Sequence, residues 1–425
     1  MPGRFSRFTV VLQKIVMSVA EKIENLLPSK RPLPDTQDCR LPAKSICLDS
    51  ALDARKGRKM FAILMMYSGW GYYGMQRSPT FPTIEGELGK ALVTCGYMNN
   101  LSGEEYKNAE FQRASKTDKS VSALGQVCCM LLPADEDVKS RLNEALPSHI
   151  RILDVIRSTR RFSPKRSCSH RVYDYLFPTF ALAPLDLPGD DVGHWSYRVS
   201  AERLTRTNEI LGRFVGTRNY YNFTSGRAHT DRSCNRYIIS AECMPPFLYG
   251  DHEYAIVRIV GQSFVLHQIR KMIGLMIAIV RGHTTEAIFD TVFTSDRIDV
   301  PKAPALGLML NRVDYTVYNK KFGEDGIHQA IDWSKYEEEI ARFKSKFVYD
   351  HIAKVEVEER SMLEWLAVLP KHRYMRELSV QPSSPADSPS PVPSKEGNVA
   401  QVDPSLSPQK QTSVEDEQAL SAASR

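Results

Sequence analysis

Short apolar runs alternate with amphipathic stretches in the middle of the chain. The run MFAILMMYSG (60–69) is followed by PTIEGELGKALVTCG (82–96), where apolar residues recur every three to four positions. The first pattern predicts a buried strand and the second a helix. A strand-like run at 125–132, a helical pattern at 135–146 that ends before a proline, and a strand-like run at 150–159 follow. The predicted order is therefore strand, helix, strand, helix, strand.

A similar order of elements recurs in the next part of the chain. A serine precedes the helical stripe of this half and predicts an N-cap. The predicted elements are a strand at 171–179, a helix at 200–216, paired strands at 236–247 and 253–264, a helix at 265–282 and a strand at 306–315. Two halves with one order predict an α+β protein of two similar subdomains, with mixed or antiparallel sheets, helices on the outer faces and a cleft between them.

Composition changes on both sides of this region. The segment before it is polar and contains prolines, as linkers do. After residue 318 the sequence is polar with helical spacing, and the end of the chain is rich in Ser and Pro and too poor in apolar residues to order itself. The predicted organisation is an N-terminal extension (1–57), two subdomains (58–160 and 161–318), a helical C-terminal extension (319–370) and a disordered tail (371–425).

Formal charge is unevenly distributed along the chain. The net charge is +6, and residues 376–425 contain four basic and seven acidic side chains. That tail accounts for −3, so the rest of the chain carries +9. A basic body in a chain with 18 Tyr and 17 Phe favours a polyanionic partner such as nucleic acid.

Several kinds of site are missing from the sequence. The eight cysteines include no CxxC pair, so neither a zinc cluster nor a disulfide framework is predicted. No apolar run is long enough to span a membrane. The GxxxxGKS/T phosphate loop, the HExxH helix, the GxSxG elbow and the zinc-deaminase pattern are also absent. The remaining possibility is a reaction that one carboxylate performs with the assistance of basic and aromatic side chains.

One acid stands in a basic, serine-rich loop. In FQRASKTDKSVSALGQVCC (111–129), Asp118 lies between Lys116 and Lys119, just before a strand-like run. Asp and Ser are ordinary turn formers, so the loop alone favours a surface turn. The alternative interpretation is a reactive carboxylate.

Two further segments carry candidate side chains. In HRVYDYLF, Arg171, Tyr173 and Tyr175 fall on one face of a predicted strand. In GQSFVLHQIRKMIG, Arg270 stands among apolar positions of a predicted helix. A charge in such a position needs a partner, for which Asp118 is the candidate, because an unpaired buried charge is costly. The alternative is an arginine that extends to solvent.

The Asp118 loop resembles the loop written RTDKGVSAAGQV in the eukaryotic branch of the tRNA pseudouridine synthase A (TruA) family. The resemblance extends from Arg58 to Pro370. Six further blocks are similar to successive blocks of that branch: MMYSGWGYYGMQR, LPSHIRIL, FVGTRNYYNFTS, GQSFVLHQIRKMIGL, VPKAPALGLML and ERSMLEWLAVLP. The resemblance implies the pseudouridine synthase fold with a central RNA-binding cleft. It also implies isomerisation of uridine to pseudouridine in RNA, chiefly tRNA, with mRNA and snRNA as further candidates.

The resemblance also implies roles for individual residues. Asp118 matches the catalytic aspartate, which acts as a nucleophile without a metal or cofactor. Tyr173 matches the tyrosine that stacks on the flipped base and is the candidate for removing the C5 proton. Arg270 matches the arginine paired with the aspartate. The implied substrate-binding residues are Lys116, Thr117, Lys119, Tyr173 and Phe264.

Two residues beside Asp118 depart from the family pattern. Lys116 stands where the family has arginine, and Ser120 stands where it has glycine. Lysine lacks the planar group that stacks on bases and binds phosphate through two hydrogen bonds. If position 120 requires a positive φ, serine strains the loop. These departures keep an alternative open, in which a catalytically weakened or inactive paralogue binds tRNA as a chaperone.

The first twenty residues bear on where the protein acts. MPGRFSRFTVVLQKIVMSVA contains three basic residues and no acid, which is typical of a mitochondrial presequence, although an untargeted helix fits equally well. The predicted location is the nucleus, the mitochondrion or both. The oligomeric state stays open.

Overall fold

The computed structural model describes residues 57–134, 137–185 and 191–374. The predicted presequence lies outside the described residues, and so do residues 375–425 of the predicted tail (371–425). The described strands are β1 (Lys59–Tyr67), β2 (Gln112–Arg113), β3 (Ser122–Leu132), β4 (Ile150–Arg157), β5 (His170–Pro178), β6 (Gly216–Asn219), β7 (Asn235–Cys243), β8 (Phe247–Tyr249), β9 (His252–Gly261) and β10 (Leu308–Asp314). The described α-helices are α1 (Ile84–Thr94), α2 (Gly103–Asn108), α3 (Val138–Ala145), α4 (Asp191–Ser196), α5 (Ala201–Gly212), α6 (Gln268–Val280), α7 (Thr316–Phe322), α8 (Glu337–Phe343), α9 (Asp350–Glu359) and α10 (Ser361–Val368).

The predicted strands and helices form where the patterns place them. The side chain of Ser200 accepts a hydrogen bond from the Arg203 N–H at 3.2 Å, as expected of an N-cap of α5. Helix α3 ends at Ala145, and Pro147 follows. The strands β2, β6 and β8 were not predicted, because runs of two to four residues leave too short a pattern to read.

The strands of the described residues form one mixed, ten-stranded sheet. Its main order is β4-β1-β3-β10-β5-β9-β7-β6, with β2 paired to β3 and β8 paired to β9. Neighbours are antiparallel except β10 and β3, which run parallel. The predicted α+β class is confirmed, and strands of both predicted halves belong to the same sheet.

Strand β10 brings the start of β3 close to β5. Met309 and Leu310 of β10 pair with Ser122 and Ala123 on one side. On the other side Leu310 pairs with Tyr173. Because neighbouring strands lie about 4.8 Å apart, the end of the Asp118 loop is two strand spacings from Tyr173. Sheet order, and not sequence proximity, joins the two segments.

Two hydrophobic clusters hold the helices on the sheet. One contains most buried residues of 60–162 and is completed by side chains from 309–352. The other contains most buried residues of 175–308 and is completed by side chains from 362–374. The C-terminal helices α8 to α10 are therefore part of the core, with Phe343 in the first cluster and Leu366 in the second. Among the described helices, none has the length and apolar character needed to cross a membrane.

Candidate active site

Buried polar side chains of β1 and β3 fix the loop that carries Asp118. The Tyr67 hydroxyl lies 2.8 Å from Thr117 Oγ1. The Gln126 side chain donates to the Ser115 carbonyl at 2.9 Å and accepts from the Ser115 N–H at 3.2 Å. Tyr67 and Gln126 are fully buried. Since buried polar groups keep their partners, these bonds hold the loop in one conformation.

A glycine-containing segment, GWGYYG (69–74), supports the loop from the other side. A Cβ on Gly74 would lie 2.6 Å from the Thr117 carbonyl oxygen, and one on Gly69 would lie 2.3 Å from the Val121 carbonyl oxygen. Only glycine allows the two backbones to approach so closely. The spacing matches GxGxxG, but the next helix begins only at Ile84, so this is not the strand–turn–helix of a dinucleotide site.

Ser120 adopts the left-handed backbone conformation. Its φ is +62°, and its N–H donates to the Tyr72 carbonyl at 3.0 Å. Position 120 therefore has a positive φ, which is the condition under which a serine in place of glycine was expected to strain the loop. The Asp118 carbonyl accepts the Val121 N–H at 3.1 Å and closes the turn. The loop pattern alone favoured a surface turn, and the backbone of Asp118 does form part of a turn.

The side chain of Asp118 is exposed at the tip of this turn. Burial raises the pKa of Tyr173 and lowers the pKa of His267 and of Arg270; the charge of Asp118 adds to the first shift and opposes the other two. These residues come from β5 and from the start of α6. Asp118, Tyr173 and Arg270, the three residues predicted for the chemistry, are therefore coupled electrostatically.

Tyr173 forms an aromatic wall of the site. Its ring meets Phe264 edge to face, with centroids 5.3 Å apart and an interplanar angle of 84°. Burial raises the pKa of the Tyr173 phenol above its usual value; Arg171 and a hydrogen bond with Ser115 oppose this, and Asp118 adds to it. The phenol is therefore neutral at physiological pH. Such a side chain offers an aromatic ring to a flat substrate.

Arg171 fastens the loop to the strand that carries Tyr173. Its guanidinium donates to Ser115 Oγ, to the Ala114 carbonyl and to the Gln262 carbonyl, each at 3.0 Å. The sequence placed Arg171 on the same face as Tyr173 but gave it no role. Its planar group, with five N–H donors in a fixed geometry, satisfies three acceptors from two segments.

Arg270 is partly buried in the first turn of α6. Its Nε donates to the Ala303 carbonyl at 2.7 Å, and the Ala303 N–H donates back to the Arg270 carbonyl at 3.1 Å. In the described part of the chain no ion pair joins Arg270 to Asp118. Burial lowers the pKa of the guanidinium, and the charges of Tyr175 and Asp118 oppose that shift. Arg270 is thus anchored to the backbone of Ala303, with Asp118 within electrostatic reach.

His267 is a neighbour of the site that the sequence did not single out. It precedes α6 with a φ of +66°, and within the described residues its Nδ1 has no hydrogen-bond partner. Burial, followed by the charges of Lys302 and Arg270, lowers its pKa. No local pattern marks such a residue, since its position depends on the packing of α6.

The predicted substrate-binding residues differ in their exposure to solvent. Thr117 is buried and hydrogen-bonded to Tyr67, so it supports the loop. Lys116 and Lys119 are exposed on either side of Asp118. Phe264 packs edge to face against Tyr173. These residues supply one exposed carboxylate, aromatic rings and exposed cations. Among the described residues no group of three or more His, Cys, Asp or Glu is placed to hold a metal ion.

Similarity to known proteins identifies the family. The model of the family described as tRNA pseudouridine synthase matches residues 210–316. Pseudouridylate synthase 1 homolog of Homo sapiens is 44% identical over 339 residues, which are 79% of this chain and 79% of the human protein. This chain belongs to the tRNA pseudouridine synthase family. The Mus musculus homolog is 42% identical over 80% of this chain and 81% of its own. tRNA pseudouridine synthase 1 of Yarrowia lipolytica is 31% identical over 71% and 72%.

The segment matched by the tRNA pseudouridine synthase family model contains α6 with Arg270, together with Phe264. It also contains Lys271, whose ammonium donates to the Asn222 carbonyl at 2.8 Å. Burial lowers the pKa of Lys271 to about 8, with the charge of Arg297 as the next cause. Cations held this close to one another favour an anionic ligand, and RNA phosphate is the anion that a synthase of this family meets.

Proposed function

We propose that this protein isomerises uridine to pseudouridine in tRNA, with Asp118 as the nucleophile. Family membership supports the reaction and the substrate class. The observation that supports the residue is the exposed carboxylate of Asp118 on a loop fixed by buried hydrogen bonds, within electrostatic reach of Tyr173 and Arg270.

In the proposed reaction the target nucleotide leaves its stack and the uracil enters the site. Unstacking costs a few kcal/mol, which contacts to phosphate and to aromatic rings offset. The Asp118 carboxylate initiates cleavage of the bond between N1 and the sugar. The uracil turns, C5 bonds to the sugar, C5 loses its proton and N1 gains one. Attack on the sugar carbon and a glycal route are both compatible with this placement of the carboxylate.

We assign Tyr173 first to stacking on the extruded uracil. Its phenol is neutral because burial raises its pKa, so it starts as a hydrogen-bond donor and not as a base. Removal of the C5 proton by Tyr173 requires the bound substrate to change that environment. Arg270 is proposed to turn from the Ala303 carbonyl toward Asp118 when the substrate binds, since the charge of Asp118 already acts on its guanidinium.

The finer architecture belongs to the same proposal. We propose subdomains 58–160 and 161–318, a helical extension 319–370, and an RNA-binding cleft that contains the Asp118 loop and the start of α6. The sheet register supports the location, because β10 lies between the strand that follows the loop and the strand that carries Tyr173.

Pseudouridine mapping on a tRNA transcript tests the function directly. The wild-type protein is expected to convert at least one uridine, and Asp118→Ala is expected to lose conversion while tRNA binding survives. Asp251→Ala is the matched control, because Asp251 is also an exposed aspartate but lies in the turn between β8 and β9. Full conversion by the Asp118→Ala protein would exclude Asp118 as the nucleophile.

A second candidate function is tRNA binding by a weakened or inactive paralogue. The observation that favours it is the positive φ at Ser120 beside Lys116, where the loop departs from the family pattern. Lys116→Arg is expected to raise kcat/KM, because a planar guanidinium stacks on bases and binds phosphate in two places. Turnover by the wild-type protein at the rate of its Lys116→Arg variant would count against a weakened loop.

The proposals on cellular location and on further RNA substrates depend on the sequence alone. We propose that the protein acts in the nucleus, the mitochondrion or both, and the mitochondrial part depends on the first twenty residues. A fusion of residues 1–20 to a fluorescent protein should enter mitochondria, and a diffuse signal would refute the presequence. Mapping of total RNA with the purified protein would show whether mRNA and snRNA are also modified.

A further inference from the structure

Two exposed aromatic rings are stacked beside the Asp118 loop. The rings of Tyr73 and Phe81 have centroids 4.3 Å apart and an interplanar angle of 18°. Although the rings cover each other, Tyr73 is 47% exposed and Phe81 is 49% exposed. The Lys119 ammonium lies over the Tyr73 ring, 4.5 Å from its centroid. Since Phe81 stacks on one face of Tyr73, the ammonium lies over the other face, and about half of Phe81 stays exposed.

Backbone hydrogen bonds connect this stack to the Asp118 loop. The Tyr73 N–H donates to the Pro82 carbonyl at 2.9 Å, and the Ile84 N–H donates to the Gly74 carbonyl at 3.2 Å. The Met75 N–H donates to the Thr117 carbonyl at 3.1 Å. The segment with both rings is therefore fixed to the residue that precedes Asp118. Lys119, the residue after Asp118, completes the connection.

We propose that the outer face of Phe81 is a stacking subsite for an unpaired base of the RNA substrate. The base would extend an existing series of Lys119, Tyr73 and Phe81 by one layer. This inference rests on the proposed function and adds a substrate-binding site outside the uracil pocket. Base-on-aromatic stacking is independent of sequence, because each base has a flat π face. A subsite of this kind positions RNA without reading its sequence.

Charge identifies the occupant as RNA. Two exposed large apolar side chains next to each other mark an interaction surface. Here the Lys119 ammonium lies over the Tyr73 ring, and Lys116, three residues earlier in the chain, is also exposed. Cations beside aromatic faces are the combination that binds single-stranded nucleic acid, with stacking for the bases and ammonium groups for the phosphates.

Equilibrium binding of a tRNA transcript to the Asp118→Ala protein tests the subsite without turnover. Adding Phe81→Ala is expected to weaken binding about tenfold or more, as loss of one stacked base does, with no change in the salt dependence. Adding Lys119→Gln is expected to weaken binding and to reduce the salt slope by about one unit. Adding Phe81→Tyr should leave the affinity within about twofold, because the ring face is retained.

Two further variants separate stacking from apolar contact and from misfolding. Phe81→Leu keeps an apolar side chain without a flat face, so it should behave like Phe81→Ala. Leu248→Ala is the control, because Leu248 is 62% exposed and lies on β8. It should bind tRNA as its parent does. Thermal unfolding of each variant should match the parent, since Phe81 lies outside the buried core.

The outcomes distinguish the subsite from the proposed function. Unchanged tRNA affinity in the Phe81→Ala variant overturns the subsite, even if the wild-type protein forms pseudouridine. Equal weakening by Phe81→Tyr overturns it as well, because the ring face would then not be the relevant feature. Absence of pseudouridine formation by the wild-type protein would refute the proposed function, while the binding series would still decide the subsite.

Discussion

Ser120 holds a backbone conformation that usually belongs to glycine. At a φ of +62° the Cβ of an L-residue crowds the backbone, which costs about 1–2 kcal/mol. The conformation persists because the Ser120 N–H is bonded to the Tyr72 carbonyl and because Gly69 packs directly behind the loop. Strained backbone conformations are common at functional sites, and this one lies two residues from the proposed nucleophile.

Replacing Ser120 by glycine is expected to stabilise the protein. Ser120→Gly removes the crowding but adds freedom to the unfolded chain, so the free energy of unfolding should rise by about 0.5–1 kcal/mol. Urea unfolding measures the change. The same substitution at Ser140, an exposed position in α3, should lower stability, because glycine weakens a helix. A loss of stability in Ser120→Gly would mean that the serine is not strained.

At the scale of elements, β1 and β3 do more than form the core. Tyr67 at the end of β1 and Gln126 in β3 point polar groups into a buried space, where they bond Thr117 and Ser115. Tyr254 of β9 is equally buried, yet in the described part of the chain its hydroxyl has no partner. Two tyrosines of similar burial thus have opposite energetic roles.

Removal of the two hydroxyls should have opposite results. Tyr67→Phe leaves Thr117 without its buried partner, so stability should fall by about 1 kcal/mol and the turnover number should fall with it. Tyr254→Phe removes an unsatisfied polar group and should be neutral or stabilising. Denaturant titration and pseudouridine assays on both variants check this. Equal effects would show that the hydroxyl of Tyr67 does not hold the loop.

The junction of α9 and α10 contains a buried acid, Glu356. Its carboxylate accepts the Met362 N–H at 2.7 Å. Burial raises the pKa of Glu356 from 4.5 to about 7, although the Met362 N–H opposes the shift. The folded state therefore binds a proton more tightly than the unfolded state. Its contribution to stability is full below about pH 4.5 and is lost as the pH rises through about 7.

Glu356→Gln should remove this pH dependence. Glutamine keeps an oxygen that accepts the Met362 N–H and carries no charge, so the melting temperature should rise at pH 8 and change little at pH 5. Melting curves across this range provide the measurement. Glu358→Gln is the control, because Glu358 lies on the same helix but is exposed. An equal gain at pH 5 and pH 8 would rule out the buried charge as the cause.

At the scale of the whole molecule, the contact between β3 and β10 joins the two predicted halves. Gly125 lies at this contact, and a Cβ there would be 2.8 Å from the Asn311 carbonyl oxygen and 2.9 Å from the Arg312 Cα. The same two strands locate the Asp118 loop relative to Tyr173. Stability and site geometry therefore depend on one strand pairing.

Gly125→Ala is expected to disturb both properties. The methyl group forces β3 and β10 apart, which should cost about 1–3 kcal/mol and lower kcat. Gly212→Ala is the control, because a Cβ at the end of α5 meets nothing within 4 Å and alanine favours the helix. Unfolding and turnover of the two variants give the comparison. Wild-type turnover in a destabilised Gly125→Ala protein would separate the pairing from the site.

The sequence by itself determined the longer strands and helices and supplied the candidate residues for the chemistry. Burial imposes a period on apolar positions, so elements such as β1 and α6 can be read from local patterns. The α+β class follows from their order. Asp118 became a candidate nucleophile only through similarity to a family, since its local pattern favoured an ordinary turn. The sequence did not predict the positive φ at Ser120; it indicated only that a positive φ there would strain a serine.

Only the tertiary structure decided which of these residues meet. The position of β10 between β3 and β5 cannot be read from the chain, because pairing depends on the packing of distant elements. The same holds for the bond between Tyr67 and Thr117, the bond from Arg270 to the Ala303 carbonyl, and the ammonium of Lys119 over Tyr73. Contacts between residues far apart in sequence leave no local period, and the geometry of the site consists of such contacts.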